Sequence, residues 1–157
     1  GQGSADLGIV STAVATADLQ TRPFRDDPLV LIMAPDHPLA GSDQPDFARS
    51  LEHGYVGLGA ASALALHLEE QALHLGRRMQ VRVRAEGFDG VIRMVAHGAG
   101  LGIVPLAAVQ RWQGRLPLRS VALADTWAQR RLLLCARDFD TLPGQAMALL
   151  DALAPRV

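Results

Sequence analysis

Two hydrophobic periods alternate along this chain, one near 2 and one near 3.6 residues. Residues 5–10 put Leu7 and Ile9 on one face of a short strand, and residues 19–24 predict a second extended piece. Residues 29–34 form an unbroken apolar run, the pattern of a strand covered on both faces. Pro35, Pro38 and Gly41 then mark a loop. Residues 46–53 predict a short helix stopped by Gly54, and residues 55–58 predict a strand. Ser62 is a good N-cap for a helix over residues 63–75, with Gly76 as its stop. Leu64, Leu68, Ala72 and Leu75 share the apolar face of that helix. Residues 79–85 alternate strictly, with Met79, Val81, Val83 and Ala85 facing one way and Gln80, Arg82 and Arg84 the other. One side of that strand is therefore wet or paired with a partner. A helix follows from Phe88 and Asp89, carrying Val91, Ile92, Met94 and Val95.

The densest signal is Val95-Ala96-His97-Gly98-Ala99-Gly100-Leu101-Gly102-Ile103-Val104-Pro105. It reads as a helix end, a glycine turn, a short buried strand, and a proline at the first position of the next helix. Gly98 suits the left-handed residue just past a helix C-terminus. A dinucleotide-binding fingerprint runs from strand through glycines into helix. Here the helix comes first, so Gly98, Gly100 and Gly102 predict a packing turn and not a phosphate cradle. Residues 105–112 predict a helix ending at Gly114, residues 116–123 an extended segment, and residues 131–136 a buried strand. Asp140 or Thr141 caps a last helix, whose stripe is Ala146, Leu149, Leu150 and Leu153 and which Pro155 ends. This alternation predicts an α/β fold with a largely parallel core.

Composition narrows the chemistry. The chain has 157 residues, 49% of them hydrophobic, enough for one ordinary core or two small lobes. Fifteen basic and 16 acidic residues leave a net charge of −1, without the basic excess of a free-standing nucleic-acid binder. Arg77, Arg78, Arg82 and Arg84 come nearest to a basic patch, and solvation of a helix end and an edge strand accounts for them. Every basic residue is arginine and asparagine is absent, as codon bias in a GC-rich bacterial genome would produce. Without lysine there is no lysine Schiff base and no P-loop lysine. The single cysteine, Cys135, excludes an intrachain disulfide and a thiolate metal cluster, and its apolar neighbours suit a small buried hydrophobe.

No catalytic set stands out. His67, Glu70 and His74 share a helix face, but the spacing is neither HExxH nor HxxEH, because Gln71 stands where the second histidine would be. A solvated polar face is the simpler reading, and no metal or cofactor is expected. His37 lies in a Pro-Asp-His-Pro loop, and His97 precedes a C-cap glycine where a cation suits the helix dipole. A Ser-His-Asp arrangement remains open, but no G-x-S-x-G elbow is present. Trp112 and Trp127 suit packing or ligand stacking equally.

Three segments in order carry a resemblance. They are Ala5-Asp6-Leu7-Gly8-Ile9-Val10, the run from Asp27-Pro28-Leu29 through Asp36-His37-Pro38-Leu39-Ala40, and the glycine turn ending at Pro105. Together they resemble the "aDlgI", "lvlv.p..HPla" and "lV..G.GiaivP" segments of the effector-binding domain of LysR-type transcriptional regulators. The resemblance implies an α/β fold of two lobes, like type 2 periplasmic binding proteins. Residues 1–25 and 130–157 would be a partial first lobe and residues 29–124 a complete second lobe, with crossings near 26–29 and 125–129. Family members carry a winged helix-turn-helix, a linker helix and about two βα units before the first segment, so the chain is read as N-terminally truncated.

Ligands in such a fold sit at strand C-termini and helix N-termini, where unpaired backbone N–H groups bind anions. The implied ligand residues are Ser11, Thr12, Gly59, Ala60, Ser62, Val104 and Pro105. Ser62 could equally be a plain N-cap, and Ser11 and Thr12 an ordinary turn. Glu86 and Asp89, at the next helix start, would repel a carboxylate and could accept from a ligand amine or hydroxyl. The implied function is sensing of a small anionic metabolite in the cytoplasm, with DNA bound only through a domain this chain lacks. A half lobe would expose strand edges near Leu7, Ile9 and residues 132–134, and residues 80–84 offer a second edge, so homo-oligomers are expected. The other readings are a solute-binding protein for a transporter, against which the polar start of the chain weighs, and a small α/β enzyme, against which the missing motifs weigh.

Overall fold

The computed structural model describes residues 8–11, 20–129 and 131–136, with side chains placed for residues 26–129. In chain order the elements are strands β1 (Gly8–Ser11), β2 (Gln20–Asp26) and β3 (Leu29–Met33), helix α1 (Phe47–Ser50), β4 (Gly54–Leu58), α2 (Ala63–His74), β5 (Gln80–Ala85), α3 (Gly87–Ala96), β6 (Gly102–Pro105), α4 (Leu106–Gln110), β7 (Arg119–Ala122), a 3-10 turn (Thr126–Ala128) and β8 (Arg131–Ala136). The chain divides into two compact units, Gly1–Asp27 with Gln129–Val157, and Pro28–Ala128.

In the first unit, β8 lies between β1 and β2 and is antiparallel to both. Pro23 is in β2, where it lacks a ladder donor. It is accommodated because, among the described residues, β2 is an edge of this sheet and the register shifts between Pro23 and Arg25. Residues 5–7, Thr12 and the expected C-terminal helix lie outside the described residues.

The second unit is built on β3, whose five residues are all buried. Its neighbours β6 and β7 both run antiparallel to it. On the other side of β6, a parallel bridge between Tyr55 and Leu101 joins β4, and β4 pairs in parallel with β5. The sheet is therefore mixed, and the expectation of a largely parallel core is corrected. The cause is β3: two strands parallel to each other flank a central strand of opposite direction, which an apolar run cannot announce.

Side chains alternate off β3 into two cores. Leu29, Leu31 and Met33 join Phe47, Leu51, Tyr55, Leu68 and Ala72 beneath α1 and α2. Val30 and Ile32 join Val91, Ile92, Val95, Val104 and Val109 beneath α3 and α4. The result is a three-layer sandwich, helices on both faces of one sheet.

Local rules explain the helix ends. The Ser62 hydroxyl accepts from the Ala65 N–H at 3.2 Å, and Gly76, at φ +67°, ends α2. Gly98 has φ +88° just past the α3 C-cap. Pro105 closes β6 and is the N-cap of α4, one position before the expected N1, and α4 ends at Gln110. Leu75 is not part of the apolar stripe: it is 46% exposed, because as the α2 C-cap its ψ of 3° has left the helical path.

The strict alternation of residues 79–85 is also broken. Tyr55 pairs with Val81 but Val56 pairs with Val83, so Arg82 is an extra residue in a bulge. One inserted residue reverses the facing of everything after it. Met79 and Val81 consequently pack under α2, whereas Val83 and Ala85 pack under α3.

Candidate functional site

Because β4, β5 and β6 are mutually parallel, their C-terminal ends share one edge of the sheet in the second unit. Three junctions gather there: residues 59–62 before α2, Glu86 before α3, and Pro105 before α4. The turn at 59–62 is closed by the Ser62 N–H donating to the Gly59 carbonyl at 2.9 Å. Gly59 and Ala60 are exposed and Ser62 half-buried. The first-turn N–H groups of Ala63 and Leu64 have no intrahelical partner, the general condition of a helix start. Gly59, Ala60 and Ser62 thus stand together.

Val104 and Pro105 share this edge but offer less. The Val104 side chain is fully buried in the core under α3, and Pro105 is buried. The N–H of Leu106, first in α4, donates to the Pro28 carbonyl at 2.9 Å, so that donor is already used. Ser11 is the last residue of β1 in the other unit. Thr12 lies outside the described residues.

Several polar and aromatic groups of the second unit are committed to structure. Asp89 accepts from the Trp112 indole N–H at 2.8 Å, and the Arg93 guanidinium stacks 4.9 Å over the Trp112 ring. Trp127 packs edge-on against Phe47 and His67. Both tryptophans therefore serve packing. The Asp125 carboxylate accepts from the Phe47 N–H at 2.7 Å, capping α1 from 78 residues away, a long-range partner that no local motif reveals. The Tyr55 hydroxyl lies 2.5 Å from the Ser50 oxygen, which is 2.6 Å from the Phe47 carbonyl. Burial pushes the Tyr55 hydroxyl well above its ordinary pKa, so it stays protonated. Among the described residues no group of three or more His, Cys, Asp or Glu side chains could hold a metal, and no helix is long and apolar enough to cross a membrane.

The glycine turn is a packing device. A Cβ at Gly100 would sit 2.7 Å from the Gly54 carbonyl oxygen, and one at Gly102 would sit 3.0 Å from Val95. The turn therefore lets β6 approach β4 and α3 closely.

His37 shapes the loop after β3. Its Nδ1 accepts from the Leu39 N–H at 3.1 Å, and its ring meets His53 edge-on at 4.8 Å. Burial, then the His53 charge, lowers its pKa below 6.5, against a weaker opposing pull from Asp36. The folded chain therefore binds this proton less readily than the unfolded chain. The stability contribution is complete above about 6.5 and is lost as pH falls below it. Urea unfolding between pH 7.5 and 5.5 should show a steeper loss for the native chain than for His37→Asn; equal slopes would assign the loss elsewhere.

The whole chain, residues 1–157, matches the LysR substrate binding domain. The chain belongs to this family. It is 30% identical over 111 residues to the RuBisCO operon transcriptional regulator of Allochromatium vinosum, covering 68% of this chain and 35% of that protein. The chain thus spans about a third of that relative's length. Among solved structures it is similar to the regulatory domain of CcmR from Synechocystis PCC6803 in complex with 2-PG, with a TM-score of 0.80 at 23% identity, covering 96% of this chain and 72% of that one. It is also similar to the effector binding domain of QuiR in complex with shikimate, with a TM-score of 0.70 at 19% identity, covering 94% and 70%. These likenesses establish an α/β fold of the type 2 periplasmic-binding-protein kind.

Proposed function

We propose that this chain is the effector-sensing part of a LysR-type transcriptional regulator, that it is not an enzyme, and that it takes a small anionic metabolite. The carrying observation is the exposed turn at 59–62, where backbone donors and the Ser62 hydroxyl meet at the sheet edge. Such a terminus holds an anion without a charged side chain. Ser11, Thr12, Val104 and Pro105 are the further ligand residues of this proposal. In this reading residues 1–25 and 130–157 belong to one lobe and residues 29–124 to the other, with crossings near 26–29 and 125–129.

The regulator works in the cytoplasm and contacts DNA through a separate winged helix-turn-helix, since this chain carries a net charge of −1. Homo-oligomers form through exposed edges such as β5. Leu66 and Leu73 of the adjacent α2, 54% and 57% exposed, support that surface. The effector acts only through unequal affinity for two conformations of the regulator.

The test is a promoter-binding titration of the intact regulator with a panel of small carboxylates and phosphates, and with this chain alone. A carboxylate- or phosphate-dependent change in the intact protein is expected, with no sequence-selective binding by the chain alone. Selective binding by the chain alone, or indifference to every anion but a response to neutral or cationic metabolites, would contradict the reading.

A further inference from the structure

Beneath α2, the second unit holds a cavity of about 180 Å³ that the proposed effector contacts share only at Ala60. Its floor is the buried core: Tyr55, Val56, Leu68, Val91 and Ile103 are each at most 7% exposed. Leu58, Leu64, Met79 and Val81 form its sides. The space has a local cause. Gly57, Ala60 and Ala65 contribute almost no side chain to the lining. A Cβ at Gly57 would come within 3.1 Å of Val81, so nothing larger than glycine fits that wall without displacing Val81. Protein interiors hold few voids larger than a water molecule. An apolar cavity of roughly 150 Å³ stays dry and accepts a benzene-sized body.

The mouth is polar. Glu69, Arg78 and Arg84 stand exposed at its rim in the single chain. Self-association through β5 and α2 would compete with a ligand for this opening, so the site is tested at protein concentrations below self-association. Arg84 donates through one guanidinium N–H to the Leu58 carbonyl at 2.7 Å, which anchors it there and leaves most of its five donors unused. Among the described residues neither Arg78 nor Arg84 pairs with a carboxylate. Two arginines and one glutamate leave one net positive charge at the opening.

We infer that this cavity is a second ligand site, which takes a compact apolar monocarboxylate with its hydrocarbon body between α2 and the β4–β5 pair and its carboxylate on Arg84. The apolar floor selects the body, and the single excess charge selects one carboxylate over a neutral head or a dianion. Charge-assisted bonds to a guanidinium also fix its orientation.

The probe is sodium hexanoate, titrated into the 157-residue chain labelled at its backbone amides and at Leu and Val methyl groups and followed by NMR. Saturable shifts at Leu64, Leu68 and Val81 are expected. Hexanamide, with the same body and no charge, should bind about fivefold more weakly, as should hexanoate to Arg84→Gln. Ala65→Phe, which fills the space, should abolish the shifts. Arg84 is exposed, so Arg84→Gln keeps the test valid even where Ala65→Phe fails to fold. The inference is overturned by unmoved cavity methyls, by equal binding of hexanamide, by a response confined to the amides of residues 59–62, or by hexanoate binding that survives in folded Ala65→Phe.

Discussion

Gly100→Ala is expected to destabilise the chain by about 3–5 kcal/mol, adding a strained backbone conformation to an overpacked contact. Gly100 has φ +150°, which side chains rarely adopt, and its Cβ would lie 2.7 Å from a backbone oxygen. That oxygen belongs to Gly54 and accepts from the Leu101 N–H at 2.9 Å. Relief by movement would therefore break the bond that ties β4 to the start of β6. Gly98 is the control: its φ is +88°, but nothing lies within 4 Å of an added Cβ. Gly98→Ala should cost only about 1–2 kcal/mol. Urea unfolding of the two variants side by side decides the matter. Equal losses would mean that the close approach at Gly100 is not what makes glycine necessary there.

Phe47→Ala should cost a comparable amount, about 3–5 kcal/mol. The ring is fully buried, and it packs edge-on against Trp127 at 5.2 Å and Tyr55 at 6.5 Å. Its loss would leave a hole where α1, β4 and the 3-10 turn meet. The same residue takes the Asp125 carboxylate through its N–H, so α1 and the turn hold each other. Asp125→Ala should therefore lose about 1.5–3 kcal/mol, and the double variant less than the sum, because both changes loosen one contact. Thermal unfolding of the three variants would show this. Strict additivity would mean that the ring and the cap act independently.

Much of this architecture is legible along the chain because it is local. A cap needs one side chain and a neighbouring N–H, so Ser62, Gly76 and Gly98 can be assigned from their positions. The buried run at residues 29–33 and the strands beginning at Gly54 and Gln80 follow from apolar spacing. What escapes is set by partners distant in sequence. The direction of β3 relative to β6 and β7 is fixed by how the chain enters the sheet, and apolar content is blind to direction. The bulge at Arg82 leaves the alternation of side-chain types intact while it turns Val83 to the opposite face from Val81. The Asp125–Phe47 bond spans 78 residues.

At the candidate site, the cluster of Gly59, Ala60 and Ser62 follows from its cap, whereas the burial of Val104 and the engagement of the Leu106 N–H depend on tertiary packing. The cavity beneath α2 left a faint trace in Gly57 and Ala65, small residues that become informative only when they are seen to line one space.

In the isolated chain, Ser62→Ala removes an N-cap and should cost about 1 kcal/mol of stability. The proposed effector contact would add, in the intact regulator, a charge-assisted bond worth roughly 1.5–3 kcal/mol. Isothermal titration calorimetry of the intact protein, native and Ser62→Ala, with whichever anion alters promoter binding, measures that second quantity directly. The expected result is an effector affinity reduced about tenfold to a hundredfold, with the variant still folded. An unchanged affinity would reduce Ser62 to a helix cap and contradict the placement of the effector at this edge of the sheet.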